Sequence, residues 1–195
     1  MSSNARPNKD TAVALPEKLR FEGPFPFVPP VENAWELARF SQPGVYLFTV
    51  RVGESFRVLY VGQGKSVSGR LRGHIEKYLA GNYWLYAAAD LMAGKRTTAW
   101  TPGKAAEVIA SKVSDLQSAL RQTLPLLEVF EGVSDMSKSE LCLVESALIL
   151  ALRESPKANE FLENHHLSIA YGGAKAELGL ESDWPIFGLP SKVLV

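Results

Sequence analysis

Arg70 and His74 stand four residues apart in the run GKSVSGRLRGHIEKYL, and four residues is about one helical turn. On a helix they become neighbours: a planar guanidinium fork beside a ring that titrates near neutral pH. The positions four away from Arg70 hold Ser66 and His74, so no carboxylate on its own helix neutralises it. Such a pair suits a phosphate; the plainer alternative is an exposed helix flank. Glu145 is the second notable residue. It sits in LCLVESALILAL (141–152), apolar almost all round, which marks a buried helix. A buried, unpaired carboxylate costs several kcal/mol, so it needs a cation or a donor. The plain partner is an arginine. The functional one is a hard divalent ion, which takes carboxylate oxygens.

Tyr46 and Tyr60 lie in two runs rich in β-branched and aromatic residues, GVYLFTVRV (44–52) and SFRVLYVG (55–62). Gly53-Glu54 separates them, which predicts a hairpin. A period of two places Tyr46, Phe48 and Val50 on one face, and Phe56, Val58 and Tyr60 together on theirs. A hairpin centred on Gly53 sets Tyr46 opposite Tyr60. Two tyrosines filling a sheet face is the ordinary explanation of such a pattern.

The stretch LYVGQGKSVSGRLRGHI (59–75) also invites comparison with a phosphate-binding loop. That loop requires a glycine five residues before Gly64, and the residue there is Leu59. Gly62-Gln63-Gly64 is better explained as a tight strand-to-helix turn. His165-His166 does not make a metal site, because adjacent residues on a strand point oppositely and no further His/Cys set accompanies them. The single cysteine, Cys142, excludes an internal disulfide framework and a Cys-built zinc site.

These residues need a scaffold, and the chain is long enough to supply one. At 195 residues and 46% hydrophobic it suits a single core with decoration, of α/β or α+β class. No apolar run of about 18 residues is present, so no membrane span is expected. The start, MSSNARPNKD, has no apolar h-region, and a cytoplasmic protein is expected. Net charge is zero, against a charge-driven grip on nucleic acid. Its distribution is uneven: Arg57 to Lys104 carries eight basic residues and two acids, Glu140 to the end eight acids and four bases. The basic stretch, with Lys65, Arg72 and Lys77 in it, reads either as an ordinary solvated face or as a phosphate-contacting surface.

Residues 1–40 read as an extension, with four prolines in FEGPFPFVPP suggesting extended chain laid over a core. A short helix is expected around Asn33–Phe40 and a longer one from Ser66 to Leu79. Residues 80–101 carry no clear period, 103–124 reads as a helix, and PLLEVFEG (125–132) as a strand. Ser137-Lys138-Ser139-Glu140 is a capping-box pattern opening a helix to about Glu154, which Pro156 stops. The tail YGGAKAELGLESDWPIFGLP looks loop-rich. The expected organisation is an extension (1–40), a core domain (41–165) with an insertion at about 80–124, and a packing tail (166–195).

Taken together, Gly44-Val45-Tyr46, Tyr60-Val61-Gly62, Arg70, His74, Glu145 and the Asn159 that follows Pro156 by three resemble the GIY-YIG nuclease family. The resemblance covers roughly 42–80 and 125–162. It implies a small antiparallel three-stranded sheet flanked by helices, and metal-dependent hydrolysis of a phosphodiester with one Mg²⁺ or Mn²⁺. It implies Glu145 as the metal ligand and Arg70 as the phosphate clamp. Tyr46, Tyr60 or His74 would be the proton acceptor, and Asn159 would close the site. Lys65, Arg72 and Lys77 would bind substrate. The expected partner is DNA, with RNA left open, and the enzyme would act at a particular sequence or structure or as a homodimer. Two features depart from the family pattern: Gln63 stands where many repair-type members have lysine, and 71 residues separate His74 from Glu145. The competing readings are a catalytically inactive module of the same kind that binds DNA or protein, and an unrelated α/β domain binding a small ligand through Tyr83, Trp84 and Tyr86.

Overall fold

The computed structural model describes residues 15–28, 38–102, 112–164 and 176–195. Two strands, β2 (Gly44–Val52) and β3 (Ser55–Gly64), form the expected hairpin around Gly53, whose φ of +61° is one that glycine adopts without strain. β6 (Leu127–Val133) pairs antiparallel with the other edge of β2. The sheet does not stop there. It has seven strands in the order β8-β3-β2-β6-β1-β7-β9, with β1 (Lys18–Pro26), β7 (Glu177–Ser182), β8 (Ile186–Phe187) and β9 (Lys192–Leu194) completing it. β1–β7 and β3–β8 are parallel, so the sheet is mixed and curls into a half-barrel. The small three-stranded antiparallel sheet expected from the sequence is therefore incorrect.

The physical reason lies in the segments read as irregular. In β1, Leu19 and Phe21 are buried while Lys18, Arg20 and Glu22 face outward, a period of two obscured by the prolines that follow. Its pairing with β6 shifts register between Glu22 and Phe25, where Gly23-Pro24 interrupts the ladder. The tail repeats the pattern with buried Leu178 and Leu180 in β7.

Helices cover both faces of the hairpin. α1 (Val67–Leu79) begins at Ser66, whose side chain accepts from the Gly69 N–H. A two-stranded ribbon of β4 (Leu85–Tyr86) and β5 (Thr98–Trp100), the short α2 (Ala88–Met92) and α3 (Val113–Thr123) occupy the expected insertion. The N-terminal part of the helix expected over 103–124, residues 103–111, falls outside the described residues, as do His165-His166 and most of the short helix expected at 33–40. α4 (Lys138–Glu154) opens with the full capping box of Ser137 and Glu140, and α5 (Pro156–Asn159) follows. No described helix is long and apolar enough to cross a membrane.

One irregularity decides which side chains meet. From Gly44 to Phe48 the β2–β3 ladder pairs Tyr46 with Gly62 and Phe48 with Tyr60; from Thr49 onward it pairs Thr49 with Val58. Leu59 is therefore an extra residue, a bulge. The two tyrosines are diagonal neighbours, and the directly opposed pairing expected from the sequence is wrong. The bulge also reverses the alternation along β3. Phe56 and Val58 belong to the core under α4, with Val45, Leu47, Leu141, Val144 and Leu148. Leu59 and Tyr60 belong to the core under α1, with Tyr46, Phe48, Val50, Leu71 and Ile75. Tyr60 thus does not share a face with Phe56 and Val58, because a period of two fails across a bulge.

Beyond Arg57, β8 no longer pairs with β3, and the segment after α5 takes over that edge. The Glu163 N–H donates to the Leu59 carbonyl at 2.7 Å. Buried Asn164 donates from Nδ2 to the Val61 carbonyl at 2.7 Å and accepts the Val61 N–H at 3.4 Å. One amide side chain thus stands in for a strand. Asn164→Ala would leave both Val61 groups unmatched, and we expect it to cost about 2 kcal/mol of unfolding free energy in urea. A loss within experimental error would show that another group takes over the edge.

Candidate active site

Three glycines make the site sterically feasible. A Cβ on Gly62 would lie 2.4 Å from Tyr46 Cζ, so the phenol ring occupies space that only glycine leaves free. A Cβ on Gly64 would lie 2.5 Å from Arg70 Cγ, and one on Gly44 would lie 2.7 Å from the Gly132 carbonyl. The glycines of both short motifs are therefore places of close approach.

Tyr46, fully buried at the centre of β2, meets His74 Nε2 through its hydroxyl at 2.8 Å. His74 is 4% exposed, which sets aside, for this residue, the plainer alternative of an exposed helix flank. Burial, and then the charges of Arg70 and Lys77, lower its pKa to about 3, so the ring is neutral at physiological pH. Burial likewise pushes the Tyr46 phenol well above its ordinary range, against the pull of Arg70. Tyr60 is half-buried; its ring lies 6.3 Å from that of Tyr46 at 29° and 5.2 Å from His74, edge to face. Burial and then the nearby carboxylate of Glu145 raise Tyr60 to about 12.

Arg70 is exposed at the mouth of this cluster, and the hydroxyl of Tyr46 beside it keeps it firmly protonated. Glu145 projects from α4, half-buried, with a pKa pushed up to about 7 by burial and drawn back by Arg70. Among the described residues it forms no direct ion pair. The structure thus brings together Tyr46, Tyr60, Arg70 and His74, residues from β2, β3 and α1, with Glu145 of α4 in electrostatic range of Arg70 and the two tyrosines. Lys65, Arg72 and Lys77 are all exposed around α1, with Lys77 Nζ lying 5.7 Å from the centre of the Tyr83 ring.

Asn159 is placed otherwise. Its backbone N–H donates to the Ser155 carbonyl at 2.8 Å, its side-chain Oδ1 is buried without a hydrogen-bond partner, and no hydrogen bond among the described residues joins it to the cluster. Sequence reasoning missed its successors. Asn164 holds the β3 edge, and Glu163 presents a second carboxylate lining a small cavity with Tyr60 and His74, raised to about 7 mainly by burial. The available signal was an acid directly after the apolar pair Phe161-Leu162, which both bury. Glu131, directly opposite Tyr46 across the β2–β6 ladder, is also buried.

The donor set bears on a metal. No group of three or more His, Cys, Asp or Glu that could hold one occurs among the described residues. Glu145 alone, short of a counter-ion, suits an ion that takes one carboxylate and completes its shell with water and phosphate oxygens. Magnesium does this. No family model, curated protein or solved structure matches the chain.

Two outcomes follow from this geometry. Glu145 binds protons more tightly folded than unfolded, so its contribution to stability is complete below pH 4.5 and lost as pH rises through about 7. Glu145→Gln should therefore equal wild type at pH 4 and exceed it by about 1 kcal/mol at pH 8, after discounting for partial exposure. His74 acts in the opposite sense, removing stability as pH falls from 6.5 towards about 3. Urea unfolding at the two pH values checks this, and a wild type that is the more stable at pH 8 would mean that Glu145 has a fixed cationic partner. Gly62→Ala should displace the Tyr46 ring and break its bond to His74, seen as a shifted His74 titration by NMR; an unchanged titration would count against the close contact.

Proposed function

We propose that the chain is a metal-dependent endonuclease of GIY-YIG type that hydrolyses DNA phosphodiester bonds. The observation that carries this reading is the convergence of Arg70, Tyr60, the Tyr46–His74 pair and Glu145 on one rim of the β2–β3 hairpin. Arg70 is the exposed cation of the set, and its fork matches two phosphate oxygens. Glu145 would hold Mg²⁺ or Mn²⁺, which when bound supplies charge neutralisation at the scissile phosphate and leaving oxygen.

The attacking water must lose a proton. Tyr60, only half-buried, meets solvent where Tyr46 does not, and we assign it as the group that first releases its own phenolic proton to solvent and then, as the phenolate beside Arg70, receives the proton of the attacking water. Arg70 already draws its pKa down, against burial and Glu145. The neutral His74 fixes the Tyr46 hydroxyl, and Tyr46 in turn positions the guanidinium. These two are positioning residues here. Asn159 has no part in this reading.

The test is nicking of supercoiled plasmid, a branched DNA and a structured RNA in Mg²⁺, Mn²⁺ or EDTA. We expect metal-dependent nicking of DNA that Glu145→Ala abolishes and Tyr60→Phe slows by about 10²- to 10⁴-fold. Equal nicking by Glu145→Ala would assign the activity to a contaminant. No cleavage, with no Mn²⁺ bound, would leave the inactive binding module as the better account.

A further inference from the structure

A second site begins where the first one ends. Between β3, the β4–β5 ribbon and the segment after α5 lies a cavity of about 570 Å³, within the size range of sites that take small organic groups. Tyr60, Tyr83, Trp84 and Tyr86 supply aromatic surface, Arg96 a cation and Glu163 a carboxylate. Tyr60 belongs to both sites, stacked on Tyr46 and lining the cavity.

Glu163 is the informative residue. Its Oε1 is buried with no hydrogen-bond partner. The Tyr86 hydroxyl and the more distant Arg96 favour the charged carboxylate without either donating to Oε1. Arg96 is itself engaged, donating to the Phe161 carbonyl at 3.3 Å with its guanidinium 5.6 Å from the Tyr86 ring centre. A buried acceptor without a donor costs more than an ordinary hydrogen bond returns, so the carboxylate is fitted to a ligand that brings its own N–H. The surrounding rings require that ligand to be flat. Trp84, 45% exposed, stands free to stack on it.

We propose that this cavity holds one unpaired or extruded nucleobase of the strand being cut, stacked on the aromatic residues and donating an amino N–H to Glu163 Oε1. This rests on the nuclease reading for its strand, but the pocket binds a base whether or not cleavage occurs. Adenine, cytosine and guanine each carry an exocyclic amine. Thymine has only a ring N–H, set between two carbonyl oxygens that would face the carboxylate. The pocket therefore discriminates against thymine, and against uracil for the same reason. Stacking on side chains is how proteins hold bases removed from a duplex, and it costs least where the base is already unpaired. The proposal thus favours substrates with bulged, mismatched or single-stranded nucleotides.

The experiment is calorimetric titration of the intact chain in EDTA at pH 8.5, where Glu163 carries its charge. The ligands are dAMP, dCMP, dGMP and dTMP at millimolar concentration, with deoxyribose 5-phosphate as the base-free control. We expect the three amine-bearing nucleotides to bind at least about fivefold tighter than dTMP, and the sugar phosphate not to bind. Trp84→Ala, at an exposed position, should weaken all of them about tenfold. Glu163→Gln should remove the discrimination while keeping affinity, since an amide offers both a donor and an acceptor. Equal binding of dTMP, binding of the sugar phosphate alone, no binding at all, or discrimination intact in Glu163→Gln would each overturn the pocket. EDTA prevents cleavage, so failures separate. Nucleotide binding without plasmid nicking defeats only the catalytic reading, and nicking without nucleotide binding defeats only the pocket.

Discussion

The single unpaired residue Leu59 sets the geometry on which the rest depends. Without the bulge, the alternation that buries Phe56 and Val58 under α4 would carry Tyr60 to that same face. With it, Tyr60 turns to the face of Tyr46, Phe48 and His74. Bulges interrupt regular pairing, and here the edge partners of β3 change around it. β8 pairs only with Phe56 and Arg57, and beyond the bulge Glu163 and Asn164 close the edge. One extra residue thus brings the tyrosine to the face of the Tyr46–His74 pair, next to the edge that Glu163 closes.

Burial then sets the chemistry. Low-dielectric surroundings disfavour charged forms, and Tyr46, Tyr60, His74 and Glu145 all move in that direction. Tyr46 and Tyr60 are held protonated, His74 neutral, and Glu145 half-titrated near pH 7. Arg70 keeps its charge and faces outward. A neutral, preorganised cluster with one accessible cation is suited to receiving a phosphate, because little rearrangement is needed when the anion arrives. The carboxylate that resists ionisation without a cation is the same one that a divalent ion would bring to its charged form.

Much of the local structure was legible in the sequence. The hairpin turn at Gly53, the capped α1, the capping box of α4 and the strand β6 all rest on short-range signals, and they stand where those signals put them. Glu145 stood out as a lone acid in an apolar helix. What could not be read were features fixed by distant partners. β1, β7 and β9 are strands because β1 pairs with β6 and β7, and β7 with β9, across the length of the chain, and β8 is one because it pairs with β3, while their prolines and glycines locally indicate loops. The bulge leaves no local mark, so the facing of Tyr60 and the register of Tyr46 were misjudged. Asn159 matched by spacing alone, whereas Asn164, five residues on, makes the buried hydrogen bonds.

The most direct test of the account is a crystal structure of the chain grown with Mn²⁺ and an uncleavable phosphorothioate oligonucleotide, with anomalous scattering locating the metal. The expected result is one Mn²⁺ within about 2.2 Å of a Glu145 carboxylate oxygen, with a phosphate between it and Arg70. Manganese bound elsewhere, or a phosphate on Arg70 with Glu145 bare of metal, would contradict the assignment of this rim as a nuclease centre.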